Sequence, residues 1–445
     1  MVFKLDNSLG KKVTFLSLIK HTFPTIIMMV FFSLYTIIDG VFVSRFVGSN
    51  ALSSINIVFP VVNIILGISI MLATGGNAIV AKLMGEGKDK DAKEGFTLII
   101  ITALAIGIFI TIISLIFIKP IIYALGATEV LYKYCYSYLF IMMIFSPIII
   151  LKCLFDYFLI SAGAPKLGLL CTILGGITNI ILDYIFIVKF NMGIAGASLA
   201  TCIGYAFPAI IGLIYFLNKK NILHFTKTKF NLRLILKSCG NGSSEMVTQI
   251  SSAVTTYLYN IVMIKFLGET GVAAITIVLY SQLLLISAHI GFTSGVSPRI
   301  SYNYGNDNKI ELKKLVKYSY IFILIFSIVS FIFSRAFSTS LVGIFTSKSS
   351  EVYNITLNGF NIFAYSFLIC GINIFASGMF TAFSNGKISA IISLLRTFIF
   401  FILGIIILPF FMGVDGVWLV VPFAEILTLM FSLYYTYKFK NTYGY

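Results

Sequence analysis

The chain is a succession of long apolar stretches separated by short polar ones. They span 14–39, 51–80, 95–118, 131–159, 167–188 and 193–217, then 238–264, 271–296, 315–338, 352–382, 388–409 and 414–436. Each is at least as long as the ~20-residue, predominantly apolar stretch that a bilayer crossing needs. In lipid the backbone must satisfy its own hydrogen bonds, which leaves helices or closed barrels. These stretches are too long for barrel strands, so helices are predicted. Hydrophobic residues make up 59% of the 445 and charged residues 11%, far more apolar surface than a water-soluble domain could cover. The prediction is an all-α polytopic membrane protein with twelve transmembrane helices. The first stretch follows a polar segment containing Lys4, Asp6, Lys11 and Lys12. It is long enough to remain as a span, so no cleavable leader is expected.

A net charge of +16 would ordinarily raise nucleic acid as a partner. Here the charges sit in short loops between apolar runs, where lysine marks a cytoplasmic membrane face and anionic lipid. Nucleic-acid binding is therefore excluded. With the N-terminus inside, the cytoplasmic side carries Lys4, Lys11, Lys12 and Lys20, the 82–93 loop, Lys166, the 219–237 segment, the 299–317 loop, Lys387, Lys438 and Lys440. The other side holds only Arg45, Lys119, Lys133, Lys189, Lys265, Arg335 and Lys348. Both termini are expected to be cytoplasmic.

The sequence also repeats itself. FVGSNALSSINIV at Phe46 and FLGETGVAAITIV at Phe266 align without a gap, and Gly85 aligns with Gly305 at the same offset of 220. GIAGASL at Gly193 and GVDGVWL at Gly413 keep that offset. Six spans per half is an even number, so the halves share one orientation and are related by an axis along the membrane normal. The expected division is a lobe over 1–217, a cytoplasmic linker over 218–237 and a second lobe over 238–445. A substrate path is expected between the lobes.

Ionisable groups inside spans are costly unless paired or wet. Asn179 and Asp183 are four apart on one helix face. Asp183 lies about 26 Å along its span from the cytoplasmic side, and Thr201 about 12 Å below the opposite surface. Asp39 closes the first span at a comparable level. Two carboxylates with Asn and Thr oxygens suit Na⁺, and a close carboxylate pair can equally retain a proton. The alternative is that Asp39 and Asp183 mark wet helix ends.

Lys152 and Asp156 are also four apart, and an intrahelical pair would make their burial tolerable without any further role. Glu245 stands near the start of its span beside GNGSS, where a capping role is expected. Glu425 has no evident partner, and Arg396 either answers one of these acids or reaches for the interface. Pro24, Pro60, Pro147, Pro208 and Pro422 interrupt spans, and each removes a backbone donor. Pro24 shares a helix with Asp39, so a bend there could respond to the acid. Tyr35, Asn56, Tyr138, Asp156 and Gln282 are further polar candidates for a substrate cavity, or else structural. The six cysteines lack metal spacing and are read as small buried hydrophobes. No HExxH, GxSxG, Walker or CxxC sequence is present, and His21, His224 and His289 are scattered. His289 is read as a satisfied packing residue. The chain is not expected to be an enzyme or to carry a cofactor, and uphill transport would have to draw on an ion gradient.

IIDGVFVSRFVGSNAL, GNAIVAKLMGEGKDKDA, AGAPK, GIAGASLAT and PRISYNYGNDN follow in order along the chain. In that order, with the repeat, the sequence resembles the multidrug and toxic compound extrusion (MATE) family. The resemblance implies a V-shaped pair of six-helix lobes and an antiporter that exports cationic or amphiphilic compounds against inward Na⁺ or H⁺. It further implies the branch whose ion site lies in the N-terminal lobe, with Asp39, Asn179, Asp183 and Thr201 matching its site residues. They would be metal ligands only if Na⁺ is the coupling ion. Pro24 and Tyr35 match that branch's bending proline and cavity tyrosine. Asp156 departs from the usual Asn, and Ile160 replaces a frequent basic residue. The C-terminal-lobe acid site of another branch has no clear match, leaving Glu245 and Glu425 unassigned. A lipid or polysaccharide-precursor flippase of the same superfamily is the nearer alternative. A major-facilitator carrier is the more distant one, because GEGKDKDAKEG lacks that family's arginine-rich loop. A monomer is expected, with small organic cations and membrane lipids as partners.

Overall fold

The computed structural model describes residues 8–445, and among them there is helix but no strand. Lys4 and Asp6 lie outside the described residues. The helices run α1 (Phe15–Phe42), α2 (Ser49–Gly85), α3 (Asp89–Ile116), α4 (Ile118–Ala124), α5 (Glu129–Ile144), α6 (Ser146–Ser161), α7 (Pro165–Asp183) and α8 (Gly193–Leu217). They continue as α9 (Leu232–Gly305), α10 (Lys309–Ala336), α11 (Ser338–Phe345), α12 (Glu351–Phe363), α13 (Cys370–Ala382), α14 (Gly386–Leu394) and α15 (Phe400–Tyr443).

Among the described residues, eight helical segments are long and apolar enough to cross a membrane, and two bent pairs bring the number to ten. Two of these are double. Within α9 the backbone leaves the helical region at Gly268, and within α15 at Gly413. A side-chain carbon on Gly271 would lie 2.9 Å from the carbonyl oxygen of Met263, eight residues earlier. Eight residues of straight helix span about 12 Å, so the chain has doubled back. Both glycines have positive φ, as do their counterparts Gly48 and Gly193 at the offset of 220. Only glycine takes that conformation at little cost, which is why the turns keep it. α3 and α10, and likewise the starts of α4 and α11, stand at the same offset.

The pair α5–α6 is bent by 56° and α12–α13 by 41°. Pro147 stands at the first break, whereas the second contains no proline. Pro24, Pro60, Pro208 and Pro422 all lie inside helical stretches that run on past them in both directions. Proline alone therefore does not locate the breaks.

The 218–237 segment is not a free tether. Leu223 is buried, Phe225 stacks on Phe96 at 5.3 Å, and the Thr226 amide donates to Thr97 Oγ1 at 3.1 Å. From Leu232 onward the segment is already α9, capped by the Asn231 side chain.

Both described ends of the chain lie on the lysine-rich side. Arg299 and Asn303 hold the carbonyls of Lys11 and Leu9, and Tyr445 stacks on Phe383. The two halves cross at backbone contact on that side. Side-chain carbons on Gly75 and Gly242 would collide with the backbones of Ser238 and Met71, and Gly85 and Gly305 face Tyr302 and Lys82 in the same way. Such backbone-to-backbone crossings tolerate nothing larger than glycine.

Candidate functional site

Glycine also sets the packing inside the first half. A side-chain carbon on Gly176 of α7 would lie 2.7 Å from Tyr35 on α1. On Gly175 it would lie 2.6 Å from the Gly204 carbonyl on α8. α7 is thus pressed against two helices at once. Asn179 and Asp183 lie three and seven residues beyond Gly176, on the same helix face. They are carried toward Thr201 of α8 and Asp39 of α1.

The result is a compact polar group. Asn179 Nδ2 donates to Thr201 Oγ1 at 3.4 Å, while that hydroxyl donates to the Ala197 carbonyl at 3.0 Å. The carboxyl groups of Asp39 and Asp183 lie within hydrogen-bonding reach of one another. Asp183 and Asn179 are buried. Asp39 Oδ1, Asn179 Oδ1 and both Asp183 oxygens are shielded from solvent without a hydrogen-bond donor. Four orphaned acceptors converging from two helices match a hard cation or a shared proton. Tyr138 is close enough to feel the charge of both acids.

Both acids adjoin π-helical turns. Val43–Val47 follows α1 and Tyr184–Lys189 follows α7 directly after Asp183. The third such turn, Leu395–Ile399, contains Arg396. Single π turns insert a residue and re-aim the side chains around them, and they concentrate at functional sites. Nothing in the local sequence marks them.

Lys152 Nζ and Asp156 Oδ2 are 2.7 Å apart on α6, with both side chains buried. In the second half Arg396 chooses Glu425, its Nε donating to Oε1 at 2.8 Å. The other Glu425 oxygen accepts from Asn373 Nδ2 at 2.7 Å. The partner of Glu425 was not visible in the sequence because Asn373 is 52 residues and Arg396 29 residues away. Glu245 does not cap a helix, since α9 begins at Leu232. His289 is not a satisfied packing residue. It packs on Phe326, but both ring nitrogens are buried without a partner. Of the cysteines, Cys135, Cys171, Cys202 and Cys370 are buried, and all six are free. No metal-binding cluster of His, Cys, Asp or Glu occurs among the described residues.

A polar cavity lies between the halves. Thr74 and Asn77 of α2 and Tyr157 of α6 line one wall, and Glu245, Ser294 and Arg396 belong to the other. The residues singled out for a substrate cavity lie elsewhere. Tyr35 packs on Phe31, Phe32 and Gly176, Tyr138 beside the acid pair, and Asp156 on Lys152. Asn56 is exposed near the lysine-poor end of α2, and Gln282 is half-buried on the second arm of α9.

The MatE family profile matches this chain twice, over residues 24–185 and 245–406. The chain is 25% identical over 415 residues to the multidrug export protein MepA of Staphylococcus saprophyticus, covering 91% of this chain and 88% of that protein. It superposes on a MATE crystal structure in complex with MaL6 with a TM-score of 0.93 at 22% identity, covering 99% of each. An outward-facing multidrug resistance MATE family transporter of the MOP superfamily gives 0.92 at 22% identity, covering 100% of this chain and 99% of that one. The two matched blocks span more than half of the sequence and fall one in each half. The chain belongs to the MatE family and is a multi-pass membrane transporter rather than an enzyme.

Proposed function

We propose that this transporter is a cation-coupled antiporter, exporting cationic or amphiphilic drugs or toxic metabolites by alternating access. One observation carries the reading: four acceptor oxygens of Asp39, Asn179 and Asp183 are buried together without donors. A cation arriving there relieves an unfavourable burial, which makes its binding strong enough to bias a conformational equilibrium. Na⁺ coordinated by these oxygens and Thr201, or H⁺ shared by the two acids, would serve as the coupling ion. The family membership and the multidrug export protein in Staphylococcus saprophyticus support the cargo class.

Residues 1–217 and 238–445 are the two lobes of this scheme, with 218–237 joining them and the lysine-rich side facing the cytoplasm. In this scheme the glycine crossings at Gly75, Gly85, Gly242 and Gly305 hold that side closed, and cargo leaves toward the opposite side. α1 runs continuously through Pro24, and ion binding at Asp39 favours a bent form of this helix. By linkage, cargo must weaken ion binding by the same factor that the ion weakens cargo binding.

Dye efflux from vesicles with imposed Na⁺ or pH gradients tests the scheme and identifies the ion. Asp39→Asn and Asp183→Asn are each expected to abolish gradient-driven efflux. Unchanged efflux in both variants would sink the site assignment. Flipping of a lipid without ion-dependent dye export would favour the flippase alternative.

A further inference from the structure

Arg396 occupies the cavity wall in a way that its ion pair does not explain. Its Nε donates to Glu425 Oε1, and Asn373 fixes the other oxygen of that acid. The guanidinium is therefore held by one edge. Its terminal nitrogens have no acceptor among the described residues, and the side chain borders the cavity. The π turn over Leu395–Ile399 carries it there.

Hydroxyls accompany it. Ser393 is three residues earlier on the same helix face, and Ser377 and Thr381 stand across from it on α13. Ser377 Oγ lies 2.9 Å from Ser389 Oγ and 2.9 Å from Ser393 Oγ, and Thr381 Oγ1 lies 2.8 Å from Ser389 Oγ. A planar guanidinium edge beside rotatable hydroxyls is the composition that recognises a carboxylate or another oxyanion. Glu245 belongs to the same cavity and is near enough to Arg396 for their charges to interact.

We propose that this cavity reads two charges on one cargo: an acidic group at Arg396 and a cationic centre at Glu245. The preferred cargo is then a zwitterion on an apolar scaffold, a narrower class than the cationic or amphiphilic compounds of the transport reading. Charges would alternate from Glu425 through Arg396, the cargo acid and the cargo cation to Glu245. A simple cation leaves the Arg396 edge unused, and a simple anion meets Glu245 and Glu425 as like charges. This inference rests on the transport reading above.

The test compares rhodamine B, a zwitterion at neutral pH, with its ethyl ester, a permanent cation. Binding to the purified full chain is followed by fluorescence anisotropy, and efflux is followed in vesicles. Wild type is expected to bind the acid at least about tenfold more tightly than the ester. Arg396→Gln should abolish that preference and leave ester affinity within about twofold. Arg396→Lys keeps the charge, loses the fork and should fall between them. If Arg396→Gln does not fold, Arg396→Lys together with Arg396→Gln/Glu425→Gln supplies the comparison. Equal binding of acid and ester by wild type, or equal loss of both in the variants, overturns the proposal. A preference seen only in vesicles lacking phosphatidylethanolamine means that a lipid headgroup holds the site, which also overturns it. Efflux of ester without preference for the acid leaves antiport standing and removes only this subsite. Preference in binding with no efflux of either dye does the reverse.

Discussion

Lys152 Nζ lies 2.7 Å from Asp156 Oδ2, one turn further along α6. The same ammonium faces the rings of Phe32 at 4.9 Å and Tyr205 at 5.3 Å. Three helices of the first half, α1, α6 and α8, therefore converge on one buried cation. Removing either charge leaves the other uncompensated away from water. Lys152→Met or Asp156→Asn alone is expected to cost about 3–5 kcal/mol of stability, and Lys152→Met/Asp156→Met much less. Thermal unfolding of the detergent-purified protein measures this. Single variants no less stable than the double one would mean the charges are compensated elsewhere.

Thr201 anchors the amide of Asn179 and leaves the Asn179 oxygen free for a ligand. Thr201→Val keeps the shape and removes that anchor. The half-saturating concentration of the coupling ion in efflux should rise about three- to tenfold, with the maximal rate retained. Thr201→Ser should restore it. An unaltered ion dependence in Thr201→Val would place this hydroxyl outside the coupling site.

The polar quartet was legible in the sequence because membrane spans penalise ionisable residues, so Asp39 and Asp183 stood out against their apolar surroundings. The repeat was legible because Gly48, Gly193, Gly268 and Gly413 occupy turns that need positive φ, and such positions resist substitution. Hidden were the contacts made across long sequence separations. Arg396 and Glu425 sit on different helices, and periodicity within each gives no rotational register between them. The cavity was hidden for a related reason: Thr74, Asn77, Ser294 and Ser377 are small polar residues of the kind that also satisfy backbone carbonyls within a helix. The three π turns among the described residues carried no sequence signal at all.

Gly75 and Gly242 bring α2 and α9 into backbone contact on the lysine-rich side. A methyl group on either would meet backbone, which cannot swing aside as a side chain can. Gly242→Ala should therefore shift the population toward the state open on that side. In a cysteine-free background, a cysteine replacing Ser294 in the cavity should then label several-fold faster with an impermeant maleimide added from the lysine-rich side. Unchanged labelling would show that this crossing does not gate access.

The segment before α1 bridges the two halves on the same side. Glu311 Oε2 accepts from the Val13 amide at 2.5 Å, and Arg299 Nη2 and Asn303 Nδ2 donate to the Lys11 and Leu9 carbonyls at 2.8 Å and 3.2 Å. These bonds go to backbone, so they require the path of the segment rather than its side chains. Opening the lysine-rich side moves α1 away from α9 and α10 and must break them. Glu311→Ala removes the acceptor of the Val13 amide, whereas Glu311→Gln keeps one. The amide of Val13 is expected to exchange with solvent deuterium about tenfold faster in Glu311→Ala and to change much less in Glu311→Gln. The same order should hold for maleimide labelling of the cavity cysteine, because both report release of one bridge. Faster amide exchange with unchanged labelling would separate the bridge from the gate and leave the glycine crossings as the closure.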